Sequence, residues 1–85
     1  NENRSLALRS RYEHLCKYMR KKNTSFAREA TYEQQIGWMN ENIPELAEID
    51  SLVDILEKAN FSPRGISEEE YEFAKELLEG VRKSV

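Results

Sequence analysis

An 85-residue chain with 39% hydrophobic and 34% charged residues has enough apolar content for one core under a heavily solvated surface, which excludes a disordered chain. No apolar run approaches the roughly 20 residues of a membrane span, and a net charge of −3 with a pI near 5.2 lies far from the basic balance of a typical nucleic-acid-binding domain. Three glycines and two prolines leave little turn material, which favours a few long helices over many short strands.

Four helices are expected. The first spans about 5–22, with Leu8, Tyr12, Leu15 and Met19 at i, i+4, i+7 and i+11. At about 100° per residue these make one narrow apolar stripe. Arg20, Lys21 and Lys22 fall in its last turn, where cations complement the helix dipole. The second spans about 31–43. Thr31 is its expected N-cap, Gln34 the capping-box partner, and Tyr32, Ile36, Met39 and Ile43 the stripe. Whether Phe26 and Ala30 extend it backwards is left open. Gly37 costs about 1 kcal/mol against Ala inside a helix and is read as a point of close helix packing.

The third helix is expected over about 45–59, with Pro44 at its start. Leu46, Ile49, Val53 and Leu56 form its stripe, and Leu52, Ile55 and Ala59 widen it. As the most apolar helix it is placed at the centre of the core. Asn60 is the expected left-handed C-cap, and Phe61 is expected to fold back onto the helix end. Ser62, Pro63, Arg64 and Gly65 form a loop. The fourth helix spans about 68–83, opened by a Ser67 and Glu70 capping box with Ile66 and Tyr71 as a hydrophobic staple. Its acids Glu68, Glu69 and Glu70 lie at the positive end of the helix dipole, and Arg82 and Lys83 at the negative end. Tyr71, Ala74, Leu78 and Val81 form its buried stripe. The expected fold is therefore all-α, a small four-helix bundle with antiparallel neighbours in one domain.

Charge is divided along the chain. Residues 1–30 hold eight bases against three acids, a surplus of five positive charges. Residues 31–85 hold thirteen acids against five bases, a surplus of eight negative charges. Either the basic first helix pairs with the acidic helices, or its basic face meets an anionic partner. Arg9, Lys17, Arg20 and Lys21 project opposite the stripe and are the candidate nucleic-acid contacts. Arg11, Tyr18 and Lys22 line one flank. Trp38 lies about 100° from Met39, off its helix's stripe, where it either covers a second core surface or stands exposed as an interface anchor. These four residues are the candidate protein-partner contacts.

Catalytic and metal chemistry find little support. His14 and Cys16 are two residues apart and would diverge by about 160° on a helix, and no second pair completes a zinc site. One histidine removes most triad and general-base designs. The clustered acids Asp50, Asp54, Glu68, Glu69, Glu70 and Glu72 have ordinary capping and surface roles, and no phosphate-binding glycine loop occurs. No enzyme, cofactor or metal is expected.

The tetrapeptide His14-Leu15-Cys16-Lys17 resembles the His-x-x-Lys core of histidine phosphotransfer domains, themselves helical bundles. Tyr18 stands where a glycine usually follows, and no family is assigned. The single cysteine suits a reducing compartment, so a cytoplasmic or other intracellular setting is expected. A start at Asn1 rather than Met fits a fragment or a processed product. The expected function is a non-catalytic protein-interaction or regulatory module with a protein partner and no membrane. A nucleic-acid-binding domain is the alternative, and homo-oligomerisation is left open.

Overall fold

A computed structural model describes residues 2–44, 46 and 48–85, with the backbone alone at Glu2. Helix α1 is Glu2–Lys22, α2 is Tyr32–Asn42, α3 is Ser51–Phe61 and α4 is Glu68–Ser84. One 3-10 turn, Phe26–Arg28, lies between α1 and α2. No strand occurs among the described residues. The fold is all-α, a small helical bundle.

Most of the stripe residues read from the sequence form the core, while Tyr32, Leu46, Val53 and Tyr71 are only half-buried against it. Leu8, Tyr12, Leu15 and Met19 of α1 are buried with Ile36 and Met39 of α2, Leu52, Ile55, Leu56 and Ala59 of α3, and Ala74, Leu78 and Val81 of α4. Phe26, Ile43, Ile49 and Ile66 join the same cluster from the connections. Each large apolar side chain so buried contributes on the order of 1.5–3 kcal/mol. The most apolar helix, α3, packs against each of the other three, as a central element must.

Two helix starts follow the local rules. Thr31 Oγ1 accepts from the Gln34 N–H at 3.1 Å while the Gln34 side chain accepts from the Thr31 N–H, a complete capping box. Ser67 and Glu70 do the same for α4. Lys58 donates to Glu70 at 2.7 Å, and with the Ser67 N–H it holds the Glu70 carboxyl below the usual glutamate range. Phe26 is buried in its own short turn, so α2 does not extend backwards to meet it. α1 opens three residues before its expected start, and Arg4 ties that first turn to the Ile66 carbonyl at 3.1 Å.

The third helix departs from expectation at both ends. It does not begin near Pro44. Glu48 has φ of 60°, a left-handed conformation that a right-handed helix cannot pass through. Ile49 is fully buried and Leu46 half-buried, but both belong to the connection. Glu45, the expected first residue, lies outside the described residues. The N–H groups of Ser51, Leu52 and Val53 bond to the carbonyls of Glu48, Ile49 and Asp50, and these tight turns lead into α3.

At its far end α3 runs past Ala59 to Phe61. Asn60 is no left-handed cap. Its amide donates to the Leu56 carbonyl at 2.9 Å and to the Tyr32 hydroxyl. Phe61 does not fold back; it is 79% exposed. Gly37 is no close-packing point either, since a Cβ there would meet nothing within 4 Å.

Helix directions position the surface. Tyr32 at the start of α2 meets Asn60 near the end of α3, and Gly37 faces Val53 across a hollow, so α2 and α3 are antiparallel. α1 and α4, which are not consecutive, run parallel. Their contacts advance together: Arg4 with Ile66, Arg11 with Tyr71, Tyr18 with Arg82. At about 1.5 Å per residue α1 is about 32 Å long. That is nearly the full 34 Å of the long axis.

Candidate interaction surface

The parallel arrangement brings two basic last turns to one end of the molecule. Arg20, Lys21 and Lys22 close α1, and Arg82 and Lys83 close α4. Tyr18 joins them. The Arg82 guanidinium stacks on its ring at 3.6 Å from the centroid, and Lys22 Nζ lies at 4.7 Å. The Lys22 hydrogen bond, ahead of the nearby positive charge, draws the Tyr18 phenol below its ordinary pKa. One turn and two turns back along α1, His14 and Arg11 line a groove of about 380 Å³ with Arg82 and Lys83. Leu15 and Leu78 form its apolar floor, and Glu79 is the one carboxylate among its described lining residues. Arg11 also donates to the Tyr71 hydroxyl at 3.1 Å.

These cations complement two helix C-termini, each contributing about 0.3–1 kcal/mol. That accounts for their presence, and none of them is in an ion pair among the described residues. Among the described residues the ion pairs are Lys58 with Glu70 and Lys75 with Glu72, and neither involves α1. Arg4, Arg9 and Arg11 reach neutral oxygens on other elements instead. Among the described residues, no base of the first helix is in an ion pair with an acid of the other helices.

The remaining candidates fall elsewhere. Lys17 and Lys21 are exposed on the open arc of α1. Arg9 and Arg20 flank a different cleft, between α1 and the α2–α3 pair. The four candidate nucleic-acid contacts thus divide between two settings. Trp38 is half-buried and held in place: its ring meets Phe26 edge-on at 5.2 Å and its N–H donates to Ser25 Oγ at 3.1 Å. Tyr18 and Lys22 are in direct contact, Arg11 lines the adjoining groove, and Trp38 stands apart on its own support.

Arg82 and Lys83 were not singled out in the sequence as partner contacts. They sit in the acidic portion of the chain, and only the register of α1 against α4 brings them to Tyr18. The α1–α2–α3 cleft was missed as well. Its floor is a polar network: the Tyr12 hydroxyl donates to Gln35 Oε1 at 2.6 Å, Cys16 Sγ lies 4.0 Å from the same oxygen, and Gln35 Nε2 donates to the Glu29 carbonyl at 3.4 Å. Burial pushes the Tyr12 phenol and the Cys16 thiol up from their usual pKa values.

Among the described residues no group of three His, Cys, Asp or Glu side chains is placed to hold a metal ion. No described helix is long and apolar enough to cross a membrane. Comparison with protein-family models, with curated proteins and with solved structures gives no match.

Proposed function

We propose that this chain is a non-catalytic interaction module whose basic end receives an acidic surface of a protein partner. The observation that carries this is the gathering of Lys22 and Arg82 on the Tyr18 ring from two parallel helices, with Lys83 in the adjoining groove and no ion pair to any of the three among the described residues. Such a cluster offers charge at low reorganisation cost, because Tyr18 already orders the Arg82 and Lys22 side chains. The groove beside it adds Leu15 and Leu78 as apolar contact. A protein surface is favoured over an extended nucleic acid because the cations converge on one end of a molecule whose net charge is negative.

Titration with polyglutamate and with a duplex DNA of about 20 base pairs, at low and moderate salt, tests the reading. Polyglutamate is expected to bind and to shift the amide resonances of Tyr18, Lys22 and Arg82. The triple variant Lys22→Glu, Arg82→Glu, Lys83→Glu should abolish that binding. Absence of any binding at low salt removes the reading. The alternative has its own support in the outward exposure of Lys17 and Lys21. It prevails if DNA binds more tightly and binding is lost on neutralising Arg9, Lys17, Arg20 and Lys21 instead.

A further inference from the structure

We infer that the cleft between α1 and the α2–α3 pair is a second docking site, taking an acidic peptide segment of a partner protein with apolar anchors. The cleft has a volume of about 500 Å³, with Leu6, Arg9, Glu13 and Arg20 along its α1 wall. Tyr32, Gln35 and Asn60 form its opposite side, and the same three residues border a neighbouring hollow that ends at Phe61. Leu6 is 53% exposed and Phe61 79%, and these are the exposed large hydrophobic residues of the described chain. A single exposed apolar side chain needs no explanation. Two of them, one on each side of a shared polar ridge, form a pair of anchors for one bound segment.

The chemistry of the occupant follows from the walls. The floor is occupied by its own hydrogen bonds, since Tyr12, Gln35 and Asn60 are each bonded within the fold. Recognition therefore falls to Arg9 and Arg20, neither of which faces a carboxylate ion-pair partner among the described residues. Arg9 makes one long contact, 3.5 Å to Asn60 Oδ1, which leaves its charge uncompensated. The two arginines are eleven residues apart on one helix, about 16.5 Å at 1.5 Å per residue. An extended peptide rises about 3.3 Å per residue and turns alternate side chains to opposite faces, so carboxylates about four or six residues apart, on one face, reach both. Glu13 lies about 6 Å beyond Arg9 by the same rise, and it selects a base about two residues after the first acid. Glu33 and Glu57 beside the Phe61 hollow keep acids to the arginine side.

Charge complementarity thus specifies acid, base and acid in order, with apolar side chains reaching Leu6 and Phe61. No segment of this chain has that spacing, which argues for a foreign partner over a second copy.

Panning a random twelve-residue peptide library against the whole chain, then titrating the enriched peptides into the isotope-labelled protein, tests the inference. Enriched peptides should carry acids about four or six residues apart and shift the amides of Leu6, Arg9, Arg20, Tyr32 and Asn60. Replacing Arg9→Gln with Arg20→Gln should weaken binding about tenfold or more, an effect of the size seen for interface anchors. The pair Leu6→Ser and Phe61→Ser should do the same. These two positions are exposed, so they decide the matter even if the arginine variant folds poorly. The Lys22, Arg82, Lys83 charge reversal should leave peptide binding intact, which separates this site from the basic end. Failure to enrich acidic peptides overturns the inference, as do shifts centred on Tyr18 and Arg82. Dilution-dependent shifts at Leu6 and Phe61 in the free protein also overturn it, by showing a second copy on the face.

Discussion

Gln35 shows how one buried polar side chain can be retained in a small core. It is 6% exposed, yet both ends of its amide are bonded, the oxygen to the Tyr12 hydroxyl and the nitrogen to the Glu29 carbonyl. A leucine at this position keeps the approximate volume and leaves the Tyr12 hydroxyl without its acceptor. Gln35→Leu is expected to cost about 1–3 kcal/mol, the desolvation penalty of an orphaned polar group. Adding Tyr12→Phe removes the orphan, so the double variant should lose less than the sum of the two single losses. Chemical denaturation of the four proteins in the cycle measures this directly. Strict additivity would mean that the two side chains do not depend on each other. The bond was not visible in the sequence. Gln35 lies next to the apolar stripe of α2, and only the approach of α1 turns its flank inward.

At the scale of the element, the connection before α3 stores strain at a definable place. Glu48 holds φ of 60°, which costs a residue with a Cβ about 1–2 kcal/mol relative to a permissive one. Glycine adopts this region freely but adds unfolded-state entropy, which offsets part of the gain. Glu48→Gly is therefore expected to raise stability by about 0.5–1 kcal/mol, read as a higher denaturation midpoint with an unchanged slope. A loss of stability would show that the left-handed turn carries no strain to relieve. The same connection marks where sequence reasoning failed. Leu46 and Ile49 match a helical stripe, but a buried loop residue satisfies the same apolar requirement, and spacing alone cannot separate the two. The capping boxes at Thr31 and Ser67 were legible because each is a contact over three residues, complete within its own segment. Asn60 was misread for a related reason: its amide has a partner on α2, Tyr32, that local sequence does not contain.

For the whole molecule the decisive fact is the parallel register of α1 and α4, set by contacts between residues about sixty positions apart. It converts a charge division along the chain into a charge concentration in space. The acids at the start of α4 lie near the first turns of α1, and the bases of both last turns collect at the opposite end. A cluster of this kind is either a stabilising feature of the fold or a surface kept for contact, and the two differ in what its removal costs. Exposed cations at a helix C-terminus are worth about 0.3–1 kcal/mol each, and relief of their mutual repulsion offsets part of that. Neutralising Lys21, Lys22 and Lys83 to glutamine should therefore lower stability by about 1 kcal/mol or less, roughly 4–8 °C in Tm at most for a domain of this size. The same variant should lose most of its affinity for polyglutamate, because it removes three cations that have no ion-pair partner among the described residues. Thermal melts and titrations on one preparation make the comparison. A large fall in Tm with little change in binding would assign the cluster to the fold, since the cations would then be bracing the α1–α4 contact around Tyr18. A small fall with binding lost would place it in recognition, where a molecule of net charge −3 still presents one positive end.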